Sequence, residues 1–484
     1  MTIPGGGAQE WNDMATMIDA TSGLGSGATA GSAAAQSVSP PAAAAMPITP
    51  PPASPGAAPV ADGGPTRAPG EARAFDVVVS GASFTGLALA LGLTQALGSE
   101  IRIALVDRAE RQAAPARPDS RCSSLSASSK AVLDVLGVWP AIAPRAQAVT
   151  RIEITDSGLD AGMRPTLLTY DNLLSSGEPA SWIIPNAALD SALVEEAARH
   201  PNIAILAGRE IASFDADDGG VSVRLSDGGL LRAALLVAAD GRRSGVRERA
   251  GLKTVGWGYG QSGMVVTIAH ERPHDGVAVQ HFLPAGPFAI LPLPTLDGRH
   301  RSCITWSETS GEAARIMALD DAGFLAELDR RCAGRLGALS LAGPRAAWPL
   351  EMHLARRTVA KRVALAGDAA HGVHPIAGQG LNLAMRDCAA LVEVLADTAR
   401  VGLDIGSGQA LARYERWRRF DSMSSTAAFD GLNRLFSNDS MLLRAARDVG
   451  LGLVDRMPGV KTWLVREAAG LTGDVPRMLR GELV

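Results

Sequence analysis

The chain has 484 residues, a formal net charge of -4 and a pI near 6.1. That length can bury one large core or two intimately joined ones, and the charge balance implies no basic surface of the kind nucleic acid requires. Four cysteines, Cys122, Cys303, Cys332 and Cys388, have no metal-ligand spacing and suit a reducing compartment.

The first seventy or so residues are dominated by Ala, Gly, Pro and Ser, with PITPPPASPGAAP among them. Such a composition cannot bury enough apolar surface to offset chain entropy, so residues 1–71 read as a disordered tail. No basic stretch followed by a compact apolar core marks a secretory signal. Glu10, Asp13 and Asp19 set against the single Arg67 argue against a mitochondrial presequence. The fold is expected to start near Ala72.

Phe75 to Gly86, FDVVVSGASFTG, begins a β-rich run that ends in a glycine turn. An apolar helix pattern follows, then a second strand, IRIALVD, ending at Asp107. Together they match a dinucleotide-binding βαβ unit. Gly81 and Gly86 occupy the outer glycine positions, and Ser83 stands where a middle glycine lets backbone approach a pyrophosphate. A structural turn without nucleotide is the alternative for this motif alone. Val77 to Gly98 carries no charge and could be taken for a membrane helix, but strand, turn and helix account for each of its parts.

Further along, Arg151–Thr155 and Val221–Leu225 are β-rich, with a helix at Asn186–His200 between them. Leu236 to Arg247, LVAADGRRSGVR, reads as an apolar strand ending at Asp240-Gly241. Strands fill Gly263–Trp306, with turn signals at Leu283-Pro284-Ala285-Gly286 and Asp297-Gly298. Helices are expected at Asp320–Cys332 and Leu381–Thr398, the second preceded by a strand at Val363–Ala366. Between that strand and its helix lies GDAAHGVHPIAGQG. Asp368 there can accept hydrogen bonds from ligand hydroxyls, while Pro375, Gly378 and Gly380 permit close backbone approach. An ordinary strand-to-helix loop is the alternative. The last eighty residues mix Leu435, Phe436, Leu442, Leu443, Leu451 and Leu453 with Arg434, Arg444, Arg447 and Arg456. They suit either packed helices or a basic amphipathic surface for lipid headgroups.

In order and spacing, the three glycine motifs resemble those of the single-component FAD aromatic hydroxylases. Within that class the chain from about Phe75 to Gly481 most resembles the ubiquinone-biosynthesis hydroxylase family. The likeness rests on DSRCSSLSASSKAVLDVLGVW (119–139), HFLPAGPFAILPL (281–293), CITW ending at Trp306, the GD pair Gly367-Asp368, and RYERWRRFD through NRLFSND. Ser83 and Asn186, the latter where many relatives carry an arginine, depart from it.

The resemblance implies an α/β fold with a Rossmann-like FAD-binding domain assembled from discontinuous segments, an inserted β-sheet substrate domain and C-terminal helices. The expected boundaries give the FAD domain 72–150, 181–255 and 351–405, the substrate domain 151–180 and 256–350, and the helical region 406–484. The implied activity is hydroxylation of a polyprenylated phenol with dioxygen and NAD(P)H or another electron donor, through a flavin C4a-hydroperoxide. Implied FAD contacts are Gly81, Ser83, Gly86, Asp107, Arg108, Arg121, Asp240, Gly241, Gly367, Asp368, Leu381 and Asn382. Pro375, Gly378, Gln379 and Gly380 would flank the isoalloxazine. Arg247 would brace the domain with Asp240.

Phe282, Leu283, Pro284, Phe288 and Leu291 are candidates for an apolar aryl pocket or for sheet core, with Gln280 and His281 nearby as possible bases. His371 and His374 lack a third ligand, so no metal is expected. The implied setting is cytoplasmic, peripheral to the inner membrane, and possible partners include a ubiquinone-biosynthesis assembly. A flavin reductase, a halogenase or a non-catalytic scaffold would share the nucleotide motifs.

Overall fold

The computed structural model describes residues 72–110, 119–159, 166–373, 378–436 and 456–484. The alanine- and proline-rich tail lies outside them. Four short apolar segments, Val77–Ser80, Ile103–Asp107, Ile203–Ala207 and Leu235–Ala238, pair in parallel and are joined by Val363–Leu365. Buried on both faces, they carry continuous Val, Ile, Leu and Ala rather than an alternation. The pieces of this sheet come from more than 280 positions of chain (77 to 365), so the domain it forms is discontinuous.

Helix α1 (Phe84–Leu97) follows the first strand directly. It has no charged residue, and Gly86 through Thr94 are all buried. The uncharged span therefore resolves into strand, turn and enclosed helix, and no helix among the described residues is long and apolar enough to cross a membrane. Helix α2 (Asn186–Ala197) follows the strand Ser181–Pro185 directly, with Pro185 in extended conformation as its N-cap.

A nine-stranded sheet is built mainly from segments inserted between the strands of the parallel sheet. Its backbone is the antiparallel series Ala346–Ala355, Thr254–His270, Arg299–Thr309, Gly286–Leu296 and Val277–Leu283, continued by the parallel neighbour Arg151–Asp156. The long strand starts at Thr254, nine residues before the expected Gly263. Gly256 lets the added stretch pair closely: a Cβ there would meet the Met352 carbonyl oxygen at 2.3 Å.

One face of this sheet packs on helices α3 (Ser310–Met317) and α4 (Asp321–Cys332), the latter capped by Asp320, whose Oδ1 accepts from Gly323 N at 2.8 Å. The other face packs on the small sheet formed by Cys122–Ser126, Ser181–Pro185 and Gln147–Val149. Helices α5 (Gly380–Arg400), α6 (Gly408–Phe436) and α7 (Pro458–Ala468) complete the described fold.

Candidate active site

The first glycine turn is built by backbone packing. Gly81 has φ +102°, and a Cβ there would lie 2.3 Å from the Ala239 carbonyl oxygen. A Cβ on Gly86 would lie 1.9 Å from the Gly81 oxygen, so α1 can start only on a bare backbone. Asp107 fastens the turn to the next strand: Oδ2 accepts from Ala82 N at 2.7 Å and Oδ1 from Ala109 N at 2.8 Å. A carboxylate accepts about four hydrogen bonds, so capacity for ligand hydroxyls remains. Ser83 is the exposed N-cap of α1, and its side chain makes no capping bond.

The GD turn is built by side chains. Gly367 has φ +60°, and its N–H donates to Asp387 Oδ2 at 2.8 Å. His353 Nε2 donates to the Asp368 carbonyl at 2.9 Å, and Arg247 Nη1 to that of Ala369 at 2.9 Å. Asp387 is buried on α5 and also meets His371 Nε2 at 2.7 Å and Arg418 Nε at 2.7 Å. Burial opposes its charge, but these two cations hold its pKa at about 2. Burial likewise disfavours a charged His371, and the Asp387 carboxylate outweighs it, raising the His371 pKa. His371 is thus an ion-pair partner, and no metal-ligating group of three or more His, Cys, Asp or Glu occurs among the described residues.

Both turns open on one cleft of about 1560 Å³. Gly81, Ser83, Asp107, Arg108, Arg121, Asp240, Gly241, Asp368, Gly378, Gly380 and Leu381 all line it. The N-termini of α1 and α5 meet there, each equivalent to roughly half a positive charge. That field, with Arg108, Arg121, Arg242 and Arg243, suits a pyrophosphate. Arg121 is held by Asp119, at 2.9 Å through Nη2, and this pairing raises its pKa. Asp368 is half exposed, with Arg242 Nε 3.4 Å away.

A dinucleotide with a flavin fits these residues. The volume exceeds the roughly 300–1,000 Å³ of ordinary ligand pockets. A Cβ on Gly241 or Gly380 would meet nothing within 4 Å, leaving room for close approach. Asp240 Oδ1 is buried without a partner among the described residues, an acceptor that a ligand hydroxyl would satisfy.

Comparison with known proteins decides the family. The model of the FAD binding domain family matches residues 74–422. The chain is 40% identical over 410 residues to ubiquinone hydroxylase UbiL of Rhodospirillum rubrum, covering 84% of this chain and 92% of the relative. It is 30% identical to 3-demethoxyubiquinol 3-hydroxylase of Escherichia coli, covering 82% and 98%. It belongs to the ubiquinone-biosynthesis hydroxylases. The hydroxylase is therefore an FAD-dependent monooxygenase. Its fold matches p-nitrophenol 4-monooxygenase PnpA of Pseudomonas putida DLL-E4 with a TM-score of 0.67, at 22% identity over 83% of this chain and 99% of that one. It also matches Klebsiella pneumoniae HpxO complexed with FAD and uric acid, at a TM-score of 0.63 and 20% identity, over 82% and 96%.

Not every expected residue of the hydroxylase reaches the cleft wall. Gly86 and Gly367 shape the turns behind it, and Gln379 is the N-cap of α5. Asn382 is buried, bonding Ser124 O through Nδ2 at 3.0 Å and accepting from Ser126 N at 3.0 Å, which clamps α5 to the small sheet. Pro375 and His374 lie outside the described residues, as do Leu442, Leu443, Leu451, Leu453, Arg444 and Arg447.

The aryl candidates divide between the two faces of the large sheet. Phe288 is fully buried with Trp306 and Phe324 on the helix-covered face, stacked on His281 at 6.1 Å, and so belongs to the core. His281 Nδ1 pairs with Thr155 Oγ1 on that face. By strand alternation Gln280, Phe282 and Leu291 share the opposite face, and Leu291 packs against the same apolar cluster as Cys122, which lines the cleft. Pro284 stands in the turn that follows. Sequence reasoning missed Asp387 and His353. Asp387 carried a signal, an acid on the apolar stripe of Ala384, Cys388 and Leu391, all buried.

Proposed function

We propose that this hydroxylase oxygenates the aromatic ring of a polyprenylated phenol during ubiquinone biosynthesis. The near full-length likeness to ubiquinone hydroxylase UbiL carries this reading, and the cleft supplies the residues the chemistry needs. FAD, when bound and reduced by NAD(P)H, would activate dioxygen so that one of its atoms enters the ring and the other leaves as water. Ser83 with the first turn of α1 binds the pyrophosphate, Asp107 a ribose, and Asp368 a hydroxyl of the cofactor chain. Gly378, Gln379 and Gly380 present the N-terminus of α5, whose dipole favours negative charge on the reduced ring. Phe282 and Leu291 form the apolar wall that orients the substrate and excludes water.

The polyprenyl tail requires contact with a bilayer, and the C-terminal helices provide it at the inner membrane. Phe420 is 62% and Met457 45% exposed in this region. The test is turnover of FAD-reconstituted protein with NADPH, labelled dioxygen and a short-chain prenylphenol. A product heavier by one labelled oxygen is expected. Protein that stays colourless with FAD and forms no such product would replace this reading with a scaffold.

A further inference from the structure

We propose that His353 is a positioning residue that couples the substrate sheet to flavin binding by holding the GD turn. This rests on the reading that Asp368 binds FAD. His353 belongs to the strand Ala346–Ala355, which pairs with the long strand Thr254–His270 and reaches the turn at its end. The acceptor of its Nε2 is a carbonyl, that of Asp368 at 2.9 Å, so Nε2 must carry the proton. That bond fixes the backbone of the residue whose carboxylate enters the cleft.

The surroundings are shaped around the ring. A Cβ on Gly372 would lie 2.4 Å from His353 Cε1 and 2.5 Å from Nδ1, so only glycine leaves the imidazole its place. Gly372 itself pairs with His353 in the ladder, and the next residue pair joins Leu354 to His371 of the buried ion cluster. Burial, followed by Arg247 and Arg242, holds the His353 pKa below the usual histidine range, which keeps the ring a neutral donor near pH 7. One imidazole therefore connects a substrate-sheet strand to the cofactor-facing turn.

The test is fluorescence titration of apoprotein with FAD, alongside the melting temperature of the apoprotein. His353→Phe keeps the ring and removes the donor. It is expected to weaken FAD about fivefold or more while the apoprotein melts within about 3 °C of wild type. His353→Gln, whose amide nitrogen can stand where Nε2 does, is expected to restore affinity to within about twofold. In an Asp368→Ala background, His353→Phe should cost no further affinity, a coupling that general destabilisation does not produce.

Gly372→Ala, which displaces the imidazole without removing it, should weaken FAD as His353→Phe does. Wild-type affinity in His353→Phe, no rescue by glutamine, or additive loss with Asp368→Ala would each overturn the proposal. If His353→Phe does not fold, wild-type affinity in Gly372→Ala does the same. Wild-type apoprotein that takes up no FAD at all would instead refute the reading of the cleft.

Discussion

The two turns that meet in the cleft are stabilised in opposite ways. The 81–86 turn is local in its motif and made by backbone: its glycines touch main chain, Gly86 that of Gly81 and Gly81 that of the distant Ala239, and one carboxylate, that of Asp107, ties it to the neighbouring strand. The 367–370 turn is tertiary: Asp387 comes from α5, His353 from the large sheet and Arg247 from the segment after Asp240-Gly241. The first turn depends on missing side chains and the second on buried charged and polar ones. Substitutions should therefore damage them through different physics, overpacking in one and an uncompensated buried charge in the other.

Asp387→Asn should have the largest effect. Removing this anion leaves His371 buried beside a neutral amide and Arg418 with Asp421 as its remaining carboxylate partner, and breaking a buried pair costs about 3–5 kcal/mol. Denaturant unfolding measures the loss. The pH dependence carries a second signature. The Asp387 pKa is depressed to about 2, so its contribution is full above the ordinary carboxylate value and is lost as pH falls towards 2. The His371 pKa is raised, so its share is full below the ordinary histidine value and lost as pH rises through the raised one. Asp387→Asn should flatten both limbs of the stability profile. An unchanged acid limb would show that the cluster does not govern it.

Gly86→Ala should come next. The added Cβ would stand 1.9 Å from the Gly81 oxygen, and the helix must shift to accept it. Overpacking of this kind costs about 1–3 kcal/mol, without the pH signature of Asp387→Asn. Equal pH profiles for the two variants would erase the distinction between the turns.

This contrast also explains what the sequence made legible. Gly81, Gly86 and Asp107 lie within 27 positions, and their spacing alone encodes a turn and the strand that closes it. The motif at Gly367-Asp368 was equally visible, but its anchors were not. His353 lies on a strand whose alternation says nothing of which loop crosses its end, and Arg418 meets Asp387 from another helix, 31 positions away. The aryl candidates show the same limit. HFLPAGPFAILPL marks a hairpin, but only the register of Gln280 with Ala289 and His281 with Phe288 separates the face near the cleft from the face under α3 and α4. Likewise Asn382, in the helix that follows GQG, turns into the small sheet rather than the cleft.

Asp368→Ala tests function rather than architecture. Its carboxylate is half exposed and has one long contact, to Arg242 at 3.4 Å, so little stability depends on it. A charge-assisted hydrogen bond to a cofactor hydroxyl is worth roughly 1.5–3 kcal/mol. FAD affinity by titration should fall by about 10- to 150-fold while the apoprotein unfolds as wild type. Unchanged affinity would leave the tertiary turn without a ligand role and confine it to folding.

Ser83→Gly should have the smallest effect and bears on the local turn alone. The hydroxyl caps no N–H of α1, and glycine at an N-cap differs from serine by only about a few tenths of a kcal/mol. Glycine also restores the small residue over which backbone approaches a pyrophosphate. Stability should stay within about 0.5 kcal/mol, and FAD affinity should be preserved or improved. If this turn works through its backbone, as Gly81 and Gly86 indicate, the side chain at position 83 is dispensable. A large loss of bound FAD in Ser83→Gly would make the hydroxyl itself a ligand, and the local turn would then share with the GD turn a reliance on side-chain chemistry.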